Sequence, residues 1–162
     1  MNRIIDAEGY TNVYVDGSWL SAGSPGSAAG YGIFWGPSDP NNRKGQSPSN
    51  ATNNVAEIQA ATIAIKQAGQ LGIRKLRVNT DSEVLYMAAT QYIPKWKQNN
   101  WMSLYNIYSP IKNRRNFEDL DIAMRSYPQM DIKFRHIPGH SGNQYHNAAD
   151  RLARAGAELH QY

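Results

Sequence analysis

The sequence predicts a layered α/β or α+β domain built around one sheet, and three observations lead there. Strand-like segments come first, helix-period segments then alternate with strands, and the turn-rich stretches are too short to act as domain linkers. Asn12-Val13-Tyr14-Val15-Asp16 alternates as a strand and meets a turn signal at Asp16-Gly17. The small, turn-prone stretch Ser21 to Gly30 follows, and Gly30 to Gly36 (GYGIFWG) reads as a second, aromatic strand. Pro37 to Asn54 is almost wholly polar with three prolines, a loop in which a third strand has only weak support. From Val55, the residues Ile58, Ala61, Ile65 and Ala68 continue at helical spacing until Gly69 and Gly72. Lys75 to Asp81 alternates, with Leu76, Val78 and Thr80 on one face. Ser82 onward is helix-compatible until Pro94, and a further helical stretch runs from about Phe117 to Tyr127. Asp131 to Ile137 is the last strand; the turn Pro138 to Gly142 follows. A final helix then places Leu152, Ala155 and Leu159 on one face.

Composition narrows the function classes. With 17 Lys+Arg against 13 Asp+Glu among 162 residues, the formal charge of +4 permits an anionic partner without identifying one. The apolar fraction of 41% suits a folded domain, and no apolar run has the roughly 20 residues that cross a bilayer. Cysteine is absent, which removes disulfides, thiolate zinc sites, iron–sulfur clusters and cysteine nucleophiles. The first eight residues resemble neither a secretion signal nor a transit peptide. An intracellular protein, cytoplasmic or nuclear, is expected.

Four carboxylates carry the chemical argument. Singly, each has a structural explanation. Asp16-Gly17 suits a turn, Glu57 follows Asn54 at capping-box spacing, Asp81 precedes a helix, and Asp150 lies near a helix start. Jointly, Asp16 and Asp81 end strands, while Glu57 and Asp150 lie near helix starts, so adjacent strands would gather all four at one rim. Clustered anions repel and raise one another's pKa values. Two hard cations, Mg²⁺ or Mn²⁺, would relieve that repulsion and suit in-line phosphoryl displacement. His140, in a glycine-rich turn, is either a proton carrier beside such a centre or an exposed loop histidine. His136 and His140 have zinc-like spacing, but no further ligands accompany them.

The strings Tyr14-Val15-Asp16-Gly17-Ser18, Asn54-Val55-Ala56-Glu57, Thr80-Asp81-Ser82, Pro138-Gly139-His140-Ser141-Gly142 and Ala149-Asp150-Arg151-Leu152-Ala153 resemble type-1 ribonuclease H in order and spacing. Trp35-Gly36-Pro37 and Gly139-His140-Ser141-Gly142 resemble eukaryotic more than bacterial members. The resemblance implies an α/β fold with a mixed five-stranded sheet, three antiparallel strands then parallel ones, flanked by helices. It also implies endonucleolytic hydrolysis of the RNA strand in RNA·DNA hybrids, with little sequence preference, leaving a 5′-phosphate and a 3′-hydroxyl. Asp16, Glu57, Asp81 and Asp150 match the family's ligands for two Mg²⁺ ions, with Mn²⁺ as an alternative, and His140 matches its mobile histidine.

The same resemblance implies the nucleic-acid contacts. Asn53 and Asn54 match residues that read both strands in the minor groove, where the 2′-hydroxyl marks RNA. Gly17 and Ser18 would approach that hydroxyl through the backbone. Asn53 and Asn54 also suit helix capping. Thr52 and Asn113 match a pocket for a DNA phosphate, with Asn50 where arginine is frequent. Tyr92 to Tyr108 matches a basic protrusion that cradles DNA, with Tyr92 where tryptophan is common and Trp96 and Trp101 read as packing residues. Lys112, Arg114 and Arg115 either extend this basic surface or form a solvated charge cluster. Two further departures stand out: Ala22 replaces an RNA-contacting asparagine, and His146-Asn147 replaces a common Asn-Glu, which bears on loop geometry and affinity more than on catalysis.

The chain is therefore read as one catalytic domain, residues 1–162, with residues 1–10 as a flexible extension and no hybrid-binding domain. A monomer that binds RNA·DNA hybrid without a membrane is expected. The alternatives are the same domain within a retroelement polyprotein, or a catalytically silent hybrid-binding module.

Overall fold

The computed structural model describes residues 3–20, 28–48, 52–102, 112–139 and 142–159. In chain order the strands are β1 (Ile4–Ile5), β2 (Thr11–Leu20), β3 (Ala28–Phe34), β4 (Arg43–Gln46), β5 (Lys75–Thr80) and β6 (Asp131–His136). The helices are α1 (Asn53–Gln70), α2 (Glu83–Met87), α3 (Ile93–Gln98), α4 (Arg114–Arg125) and α5 (Gln144–Glu158). The main sheet runs β4-β3-β2-β5-β6, antiparallel from β4 to β2 and parallel from β2 to β6, and short β1 also pairs with β2. This is the mixed sheet flanked by helices that the motifs imply, with a two-residue strand added. Among the described residues no helix is long and apolar enough to cross a membrane.

Period-two alternation assigns each face of the sheet to a helix. Val13 and Val15 of β2, Ala29, Tyr31 and Ile33 of β3, and Leu76 and Val78 of β5 share one core with Ala56, Ile58, Ala60, Ala61, Ala64 and Ile65 of α1. The opposite face belongs to α5, where Tyr14 and Ala149 share a smaller cluster. There the helix and sheet backbones nearly touch. A Cβ added at Gly30 would lie 2.0 Å from the Ala157 nitrogen, one at Gly32 2.2 Å from the Ala149 carbonyl oxygen, and one at Gly156 2.3 Å from the Gly45 carbonyl oxygen.

Four expectations are corrected by this architecture, and one weakly supported element is found. Residues 3–10 are no loose extension: β1 pairs with β2, and the Asp6 carboxylate accepts from Asn12 Nδ2 at 2.9 Å and Arg77 at 2.7 Å. Asp16-Gly17 is not a turn, because β2 continues to Leu20 with Asp16 paired to Gly32 and Gly17 to Tyr31. The weakly supported strand exists as β4, held by its ladder to β3 rather than by an apolar face. Pro94 does not end the helical run. A wider π turn over Ala88–Tyr92 precedes it, and the proline enters α3 in its first turn, where a missing N–H is harmless. Finally, α5 buries Ala149, Ala153, Gly156 and Ala157, while Leu159 is exposed, so the buried stripe consists of small residues.

Gly30→Ala is therefore expected to lower stability by about 3 kcal/mol, since its methyl would meet backbone that cannot move aside. Urea denaturation checks this, and a loss below about 0.5 kcal/mol would show that α5 can shift at little expense.

Candidate active site

Parallel pairing creates the site. The β2–β5 ladder ends at Tyr14 opposite Asn79, so Asp16 and Asp81, two residues further along each chain, stand at one level on one face. Beyond that point β2 continues toward β3 while the chain leaves β5 for α2, opening a cleft of about 360 Å³. Its lining comprises Asp16, Gly17, Asn54, Glu57, Asp81, Ser82, Glu83, Val84 and Asp150. All four singled-out carboxylates, on four different elements or their ends, face this one space.

Each acid is held differently. Asp16 is 5% exposed and accepts the Gly17 backbone N–H at 2.9 Å. Glu57, 4% exposed on α1, accepts the Thr80 hydroxyl at 2.7 Å, and so serves the cleft instead of a capping box. Asp81 leaves the helix cap to Ser82, whose hydroxyl accepts the Leu85 N–H at 3.1 Å. The Gly139 backbone lies against Asp81: a Cβ there would come within 3.3 Å of Oδ2. Asp150 lies in the second turn of α5, 3.2 Å from Arg154 Nε.

The electrostatics follow from burial and crowding. Burial first, then the Asp81 charge, pushes the Asp16 carboxyl up to about 7. Glu57 is pushed well above its ordinary value, again by burial first and then by the charges of Asp16 and Asp81.

A residue outside the expected set enters here. His146 lies one turn before Asp150 on α5 and is 5% exposed; its Nε2 lies 3.0 Å from Asp81 Oδ2 and 3.7 Å from Asp16 Oδ2. Burial pulls against its charged form, but the hydrogen bond to Asp81 and the charges of Asp16, Asp81 and Asp150 outweigh it and raise its pKa. The His146-Asn147 departure thus bears on the cleft itself and not only on loop geometry. The missed signal is helical: His146 and Asp150 are i and i+4, hence on one face.

The remaining expected residues are spread more widely. Gly17 and Asn54 line the cleft, and Ser18 continues β2 beside it. Thr52 is the N-cap of α1 and Asn113 precedes α4 in a left-handed conformation; those two helices pack together. Asn53 opens α1 through its backbone. Tyr92 is exposed, its ring 5.7 Å from Trp96, whose ring in turn lies 5.2 Å from Phe117 in a tilted pair. Trp96 and Trp101 pack against the main core, consistent with packing roles. His140, the Asn53 side chain, Asn50, Ala22 and residues 103–108 of the basic segment lie outside the described residues.

The family profile described as RNase H matches residues 8–158. The chain belongs to the RNase H family. It is 41% identical over 146 residues to Ribonuclease H1 of Homo sapiens, covering 90% of this chain and 49% of that protein. The chain thus spans about half the length of the mammalian relatives it matches. The solved PFV RNase H domain superposes with a TM-score of 0.75 at 25% identity, covering 95% of this chain and 99% of the domain. The foamy viral protease–reverse transcriptase in complex with RNA/DNA hybrid matches with a TM-score of 0.76 at 22% identity, over 91% of this chain and 20% of that one, and supports the fold alone. Together the motifs and these likenesses make this a type-1 RNase H domain.

The donor set of this RNase H domain fits divalent cations. Four carboxylates meet in one cleft, and burial and mutual repulsion raise the pKa values of two of them, Asp16 and Glu57, a strain that bound cations would relieve. The pH dependence follows from the same shifts. Asp16 and Glu57 bind protons more tightly folded than unfolded, so without metal their contribution to stability falls as pH rises, for Asp16 between about 4 and about 7. His146, also raised, contributes below its unfolded value and loses that contribution as pH rises. All three act in one direction. In EDTA, thermal unfolding is expected at a lower temperature at pH 8 than at pH 5, and added Mn²⁺ should recover more at pH 8. Glu57→Gln should raise metal-free stability by roughly 1 kcal/mol while shrinking the recovery. Equal melting temperatures at both pH values would count against carboxylate crowding.

Proposed function

We propose that this domain is an endoribonuclease that hydrolyses the RNA strand of RNA·DNA hybrids, largely without sequence preference, leaving a 5′-phosphate and a 3′-hydroxyl. The observation that carries this reading is the convergence of Asp16, Glu57, Asp81 and Asp150 on one cleft at the end of the parallel strand pair. Membership of the RNase H family and the resemblance to human Ribonuclease H1 support it. When bound between these acids, two divalent cations, Mg²⁺ first among them, would supply stabilisation of the attacking and leaving oxygens of an in-line displacement.

The chain's own residues would do the rest. Asp16 and Asp81, fixed at one level by the sheet, hold oxygens toward a common point; Glu57 adds another from α1, oriented by the Thr80 hydroxyl. Asp150 closes the cleft from α5. Asn54 on the rim offers both a donor and an acceptor to a minor groove, which suits reading base and sugar edges without choosing a sequence. The Gly17 backbone at the same rim would approach an RNA 2′-hydroxyl. His140, which matches the family's mobile histidine, would move protons near the scissile phosphate.

The reading is tested with a labelled RNA·DNA hybrid. Cleavage is expected with Mg²⁺ and absent in EDTA. Asp81→Asn should lower turnover by at least about 10³-fold while leaving hybrid affinity within a few-fold, because positioning of charge and not groove contact is lost. Binding without Mg²⁺-dependent cleavage in the unmodified protein would instead favour a silent binding module.

A further inference from the structure

The feature that distinguishes this cleft is the imidazole inside it. Nε2 of His146 points between Asp16 and Asp81, and one donor atom from each of the three residues lies within 4.8 Å of the others. Divalent first-row ions hold ligands at about 2.1 Å, which puts neighbouring donors about 3 Å apart, close to the His146–Asp81 separation of 3.0 Å. The ring is almost fully buried and its Nδ1 has no hydrogen-bond partner among the described residues, so what offsets its burial there acts through Nε2. Its backbone is fixed as well: Asn143 caps α5 by accepting the Tyr145 and His146 N–H groups, each at 3.0 Å.

We propose that His146 is a nitrogen ligand in this cleft, forming with Asp16 and Asp81 a mixed nitrogen–oxygen site that favours Mn²⁺ over Mg²⁺. Mg²⁺ prefers an all-oxygen, nearly ideal octahedral shell, whereas later first-row ions accept imidazole readily. Asparagine, the residue common at this position in the resembling family, offers oxygen or an amide donor but no such nitrogen. The inference rests on the carboxylate cleft being the metal site.

Pulsed EPR of the Mn²⁺-loaded protein reads the proposed bond directly. Nitrogen-14 coupling of imidazole strength is expected in the unmodified chain and should vanish in His146→Asn. Calorimetric titration of the same variant should show Mn²⁺ affinity reduced about 10-fold and Mg²⁺ affinity changed less than about 3-fold. Mn²⁺ bound in the cleft without nitrogen coupling would overturn the assignment, and so would coupling that persists in His146→Asn. The unmodified protein's spectrum decides the matter even if the variant fails to fold. Asp81→Asn separates the two readings: Mn²⁺ affinity undiminished by that change would remove the metal site itself, whereas its loss with nitrogen coupling absent from the unmodified protein would remove only the histidine ligand.

Discussion

Parallel pairing of β2 with β5 places two acids side by side, and the chemistry of this domain descends from that constraint. With Tyr14 opposite Asn79, Asp16 and Asp81 have nowhere to separate, and Glu57 reaches the same space from α1. Two charges 4 Å apart repel by about 1 kcal/mol in water and by several times that where water is thin. The protein offers partial relief through the Gly17 N–H, the Thr80 hydroxyl and the His146 ring. That relief falls short, because the Asp16 carboxyl still stands near 7. What remains is a demand for positive charge built into the fold itself, a common way for functional sites to be set apart from the stable core around them.

Small residues deliver the acids to that point. Alanines at positions 56, 60, 61 and 64 let α1 lie low on the sheet, and Glu57 projects from among them. On the opposite face, Gly30 and Gly32 of β3 admit the α5 backbone at distances a methyl group would close. Core packing and site geometry are therefore the same set of contacts, viewed once for stability and once for chemistry.

That dual use explains which features are legible in the sequence. β2, α1 and β5 announce themselves because their apolar residues are periodic, and the carboxylates follow from where those elements begin or end. β4 does not, since Arg43-Lys44-Gly45-Gln46 has no apolar face and exists through its ladder to β3. In α5, Leu152 and Leu159 weigh more in hydropathy than Ala149, Ala153 and Gly156, although the small residues make the contact. Pro94 resembles a helix end because the π turn that accommodates it has no sequence mark. The role of His146 is invisible in the sequence until α5 is seen to begin at Gln144.

The position of His146 ties these threads together. It shares a helical face with Asp150, so one rigid element carries both a nitrogen and an oxygen into the cleft. The seat of that element is set by the Gly30, Gly32 and Gly156 contacts, where an added Cβ would lie 2.0 to 2.3 Å from the facing backbone. Metal coordination depends on such a fixed seat, since ligand distances vary by only about 0.2 Å. An asparagine at the same position would present a different donor from the same rigid platform, and the carboxylates would be unmoved. The change from amide to imidazole therefore alters the character of the site without altering its architecture, which is how a fixed fold can adjust its preference among cations one side chain at a time.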